Sequence, residues 1–141
     1  MGLLQWNERY ATGMSAIDDQ HQKLFQAVND LHAGLTAGHA TSQIGKTLDF
    51  LVDYTVQHFK SEEAAMAQHG FEGLKAHQFE HILLVEEVRL FQEQFHRDPT
   101  KVRPMEVARF LGEWLTHHIL NMDMQYAAFV RALSSNPKKK A

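Results

Sequence analysis

The sequence predicts an all-α fold, an antiparallel up-down-up-down four-helix bundle with an extended N-terminal arm. Three observations carry that expectation. Four segments place apolar residues at alternating spacings of three and four, the pattern of a helix with one buried face. Short polar or glycine-containing connections join them, as in bundles with antiparallel neighbours. Proline is confined to Pro99, Pro104 and Pro137, so nothing interrupts the long segments.

In chain order, residues 1–14 hold no sustained period. Trp6, Tyr10 and Met14 are apolar anchors in an otherwise polar arm expected to pack on the domain. Ser15 and Asp18 fit a capping box, which starts the first helix near residue 16. Its seam is His21, Leu24, Val28, Leu31 and Leu35, and Gly38 is a C-cap type residue. Thr41 or Ser42 is expected to cap the second helix, with the seam Ile44, Leu48, Leu51, Thr55, His58 and Glu62. The chain turns at residues 69–73. The third helix carries Leu74, His77, His81, Leu84, Val88, Phe91 and Phe95 and ends near Pro99. Pro104 suits the first turn of the fourth, whose seam is Val107, Leu111, Trp114 and His118. Residues 1–133 read as the folded domain and residues 134–141 as a flexible, lysine-containing tail.

Composition narrows the function. A chain of 141 residues, 44% apolar and 22% charged, has the balance of an ordinary globular domain. The net charge of −3 and the lack of a basic stripe argue against nucleic acid as a partner. Without cysteine, disulfides, thiolate metal sites and thiol catalysis are excluded. No basic leader precedes an apolar run, and no stretch approaches the ~20 apolar residues that span a bilayer. A cytoplasmic protein that is not membrane-embedded is expected.

Histidine is the outlier, with ten copies. His58 and Glu62 lie four apart, as do His77 and His81, so each pair shares one helix face. In the predicted topology the start of the first helix, the end of the second, the start of the third and the end of the fourth meet at one end. His21, His58, Glu62, His77, His81 and His118 therefore converge inside the bundle, on seam positions that otherwise hold apolar residues. A buried polar group without a partner costs about 1–3 kcal/mol, and a lone carboxylate more. A metal centre compensates all six together. Asp123 follows His118 by five residues, about 140° round a regular helix, so periodicity leaves it off that face unless the fourth helix ends or distorts there. His117 and Glu63 are expected to point away from the site.

These residues resemble the hemerythrin family in its bacterial single-domain form. The resemblance rests on His21 in Asp19-Gln20-His21, on His58-Phe59-x-x-Glu62-Glu63, on His77-x-x-x-His81, and on Trp114-Leu115-x-x-His118-Ile119-x-x-x-Asp123. It runs from about Trp6 to Tyr126. It implies two non-haem iron ions with an oxo or hydroxo bridge. By that likeness His77, His81 and His118 hold one iron, His21 and His58 the other, and Glu62 and Asp123 bridge them. One coordination position stays open, on the iron with two histidines, and O2 is the implied ligand. The likeness also implies a dry O2 pocket of Leu24, Phe59, Trp114, Leu115 and Ile119. The expected function is reversible O2 binding for storage, transport or delivery, without enzymatic turnover, and with an O2-consuming enzyme as a conceivable acceptor. The rival readings on the same scaffold are a di-iron enzyme (peroxidase, oxidase or nitric-oxide handling) and an O2 or redox sensor.

Overall fold

A computed structural model describes residues 3–135. The long helices are α1 (Ser15–Thr36), α2 (Thr41–His69), α3 (Leu74–Arg97) and α4 (Pro104–His118). A π-helical turn, Ile119–Asp123, links α4 to α5 (Met124–Ser135). His118, Ile119 and Met124 all keep right-handed helical backbone, so the last three pieces form one rod and the bundle has four helices. The helix extends to Ser135, two residues into the expected tail. Residues 136–141 lie outside the described residues.

The helix ends show which local signals were used. Gly38 (φ +73) and Gly70 (φ +67) sit past the ends of α1 and α2 in left-handed backbone. Each closes a Schellman motif, with His39 N–H on the Gly34 carbonyl and Phe71 N–H on that of Met66. Pro104 opens α4 as its spacing predicts. The two side-chain caps expected at the N-termini do not form. Met14 and Ala40 occupy the capping positions of α1 and α2, and Ser15 and Thr41 are already helical. Asp18 instead turns back to accept hydrogen bonds from the Thr12 N–H and hydroxyl, both 2.8 Å, and from the Gly13 N–H at 3.2 Å. Its carboxylate satisfies donors of the entering loop instead of the helix's own.

α2 packs against both α1 and α3, and α1 packs against α4. The directions alternate. At one end the Asp49 carboxylate of α2 accepts from Gln92 and meets His96, both late in α3. At the other end His58 and Glu62 of α2 meet His77 and His81 early in α3. The predicted seams are the buried faces, with only Leu35, Leu74, Phe91 and Trp114 left half-buried. The arm packs across α1 and α4. Asn29 clamps Leu4 through both its backbone groups, at 2.7 and 2.9 Å, and Phe25 packs edge-to-face against both Trp6 and Tyr10, which are tilted to one another. Within the arm Glu8–Tyr10 form a short 3₁₀ turn rather than extended chain.

Two apolar clusters result. The larger fills the bundle from Leu24 to Phe95 and Leu111. The smaller gathers Ile17, Met66 and Tyr126, flanked by Phe71, Leu74 and Phe129. Between them lies a layer of polar side chains, sealed on both sides from solvent.

Candidate metal centre

That layer holds His21 from α1, His58 and Glu62 from α2, His77 and His81 from α3, His118 from α4 and Asp123 from the π turn. All seven are buried. The seam spacing brings in the first six, as the sequence predicts. Asp123 joins because the helix distorts. The Met124 N–H bonds to the Ile119 carbonyl, five residues back instead of four. The widened turn swings Asp123 under His118, with Oδ1 3.3 Å from Nε2.

The donors fall into two sets. His77, His81, His118 and Glu62 offer atoms that all lie within 4.8 Å of one another, and His21, His58 and Glu62 form a second such group. The Nε2 atoms of His81 and His77 each lie 3.1 Å from that of His118. Two imidazole nitrogens about 2.1 Å from one ion, at a right angle, stand about 3.0 Å apart. Glu62 belongs to both sets. Its Oε1 lies 3.1 Å from His77 and 3.3 Å from His81, and its Oε2 lies 3.4 Å from both His21 and His58. Asp123 divides the same way, with Oδ1 2.8 Å from His77 Nε2 and Oδ2 3.1 Å from His21 Nε2.

These close approaches do not satisfy the groups. Both ring nitrogens of His21, both Glu62 oxygens, His118 Nδ1 and Asp123 Oδ2 are buried without a hydrogen-bond partner. Leaving such groups unpaired is costly. Of these, His21 Nε2, both Glu62 oxygens and Asp123 Oδ2 face the other donors; they are groups a pair of cations would engage, and the imidazole-plus-carboxylate chemistry fits iron.

The charges show how protons substitute in the metal-free protein. Burial alone would favour neutral His21, but the Asp123 and Glu62 carboxylates outweigh it and push its pKa up to about 9. His77 reaches about 9 against the same burial and for the same reason. Burial works against ionised Glu62, yet the surrounding histidines hold its carboxyl well below the usual range. Asp123 feels burial and the Glu62 charge, and His118, His21 and His77 still hold it low.

Outside the donor layer, other side chains orient the rings. The His58 Nδ1–H donates to Gln20 Oε1 at 2.7 Å, and the His81 Nδ1–H donates to Glu63 Oε2 at 2.7 Å. Each bond leaves a lone pair on Nε2, directed at the centre. Phe59 stacks on the His81 ring (3.7 Å, 3°) and Trp114 on His118 (4.4 Å, 12°). Gln20 and Glu63 are the residues that spacing missed. Glu63 was expected to face outward, but the side of α2 next to Glu62 faces α3, and Glu63 is only 24% exposed there. Adjacency in sequence to a ligand was the available signal for both. His117 is exposed, as expected.

A small apolar cavity lies one turn inward from the donor layer. Leu24, Phe59, Trp114 and Leu115 line it, together with Val28, Leu51, Thr55, Leu84 and Leu111. Many stand three, four or seven residues from a donor on the same helix, so the cavity repeats the layer one turn along. It has room for about one water-sized molecule. Ile119 is fully buried but is not part of that wall.

Residues 12–130 match the family model of the hemerythrin HHE cation binding domain. A bacteriohemerythrin of Methylococcus capsulatus is 38% identical over 133 residues, covering 94% of this chain and 100% of the relative. A bacteriohemerythrin of Pseudomonas aeruginosa is 32% identical, covering 93% of this chain and 84% of the relative. A crystal structure of wild-type hemerythrin superposes with a TM-score of 0.82 at 38% identity, covering 89% of this chain and 96% of that one. With a domain match spanning most of its length and relatives that share its full fold, the chain belongs to the hemerythrin family.

Proposed function

We propose that the protein binds O2 reversibly at a di-iron centre built from His21, His58, Glu62, His77, His81, His118 and Asp123, in a storage, transport or delivery role. The observation that carries this reading is the sharing of Glu62 and Asp123. Each aims one oxygen at the three-histidine set and the other at the two-histidine set, an arrangement suited to two ions and wasted on one.

Two iron ions held there would supply the electrons and the open coordination position that reversible O2 binding requires. The chain's own groups do the rest. The three Nε2 atoms of His77, His81 and His118 face one point, and His21 and His58 face another, so the two positions differ in donor number. The cavity beside them is lined by apolar side chains. Thr55 is the exception, and its hydroxyl is committed to the Leu51 carbonyl at 2.7 Å. Such a wall admits a small apolar molecule and disfavours water and anions, which slows loss of a reduced oxygen species. Family membership and the full-length likeness to bacteriohemerythrins support the reading.

Visible spectroscopy tests it. The iron-loaded, reduced protein is expected to develop a stable absorption on exposure to air and to return to its reduced spectrum under vacuum over repeated cycles. Irreversible oxidation in the first cycle, or turnover of an added reductant, would point instead to an enzyme.

A further inference from the structure

We infer that Glu63 is a positioning residue for the three-histidine iron: its carboxylate fixes the His81 ring and makes that position electronically distinct from the two-histidine one. The inference deepens the di-iron reading and rests on it.

The geometry is specific. His81 donates its Nδ1–H to Glu63 Oε2 at 2.7 Å, the short distance of a charge-assisted bond. Phe59 lies flat on the same ring, 3.7 Å away and within 3° of parallel. The hydrogen bond fixes the edge of the imidazole and the stack fixes its face, so Nε2 has one direction to point. On the other side of the centre the corresponding bond from His58 Nδ1 ends on the neutral amide oxygen of Gln20. The Nδ1 atoms of His21 and His118 have no partner at all. Of these four rings, only that of His81 is hydrogen-bonded through its outer nitrogen to a carboxylate. An anionic partner strengthens an imidazole as a donor and orients it, and loss of such partners typically weakens metal binding 10–100-fold. Stronger donation favours the ferric over the ferrous ion. The Glu63 side chain, packed towards α3, still keeps a partly solvent-accessible edge at 24% exposure. Glu63 and His81 line a surface groove between α2 and α3 with Lys60, Ile82 and Glu86, so Glu63 can be changed without opening the bundle core.

The test uses Glu63→Gln, which keeps an acceptor oxygen but removes the charge, and Glu63→Ala, which removes both. Wild-type protein is first shown to hold two irons; without that result the di-iron reading itself fails. Circular dichroism then checks that each variant keeps its helix. Ferrous-ion affinity is measured by competition with a chelator, and the midpoint potential by spectroelectrochemistry. The inference expects Glu63→Ala to bind iron 10–100-fold more weakly. It expects Glu63→Gln to keep two irons, with its midpoint shifted to a higher potential. Because Gln is nearly isosteric, it carries the test even if Glu63→Ala folds poorly. A Glu63→Gln midpoint equal to wild type, or wild-type iron affinity in folded Glu63→Ala, overturns it.

Discussion

Glu62 has close neighbours on four histidines and a hydrogen bond to none of them. A carboxylate buried in that state has a physical rationale only if cations share it, which is why the single residue says more about the site than any one ring does. His77 is its counterpart among the imidazoles. Nε2 approaches Glu62 at 3.1 Å and Asp123 at 2.8 Å, so its removal disturbs both carboxylates at once. His77→Ala is expected to lose the two-iron stoichiometry while retaining most of its helical circular dichroism, because the larger apolar cluster lies on the far side of the layer. Two irons retained in His77→Ala would show that the donor assignment is wrong. Asp123 is the complementary case. Its neighbours are as close, but nothing in the spacing of residues 118–123 announces them.

The elements explain that difference. Seams at spacings of three and four bring His21, His58, Glu62, His77, His81 and His118 into one buried layer, since regular helices obey one period. The π turn at Ile119–Asp123 breaks the period for one turn only, and a five-residue pattern offers no apolar stripe by which to read it. The likeness to hemerythrins supplied Asp123 before the structure did. Turn chemistry was legible where backbone alone decides, as at Gly38, Gly70 and Pro104. It was misread where neighbouring donors compete for a side chain, as at Asp18, or where helix packing sets the direction, as at Glu63. Gly70 gives a direct check. Its φ of +67 favours glycine, and a Cβ there would meet nothing within 4 Å. Gly70→Ala should therefore cost only backbone strain, about 1 kcal/mol, seen as a lower denaturation midpoint with unchanged iron content. An unchanged midpoint would show that the left-handed cap contributes nothing to the hairpin joining the two donor pairs.

Over the whole molecule, the bundle holds its polar layer between two dry clusters, so proton and metal compete for the same charges. In the metal-free protein His21 and His77 have pKa values of about 9, above the ordinary ~6.5. Their contribution to stability is complete below about pH 6.5 and is lost as pH rises through 9. Glu62 and Asp123, held low, contribute above the ordinary carboxylate range and lose that contribution in acid. Thermal melts of the metal-free protein should therefore show a midpoint that falls from pH 6.5 to 9.5. A midpoint that rises over that interval would contradict the charge assignment. Metal uptake near neutrality should release protons, because the ions replace them on the same rings. No helix among the described residues is long and apolar enough to cross a membrane. One centre of two ions sharing Glu62 and Asp123 fixes the metal content of the purified protein, which elemental analysis measures. Two irons per chain are predicted, and a maximum of one ion per chain would contradict it.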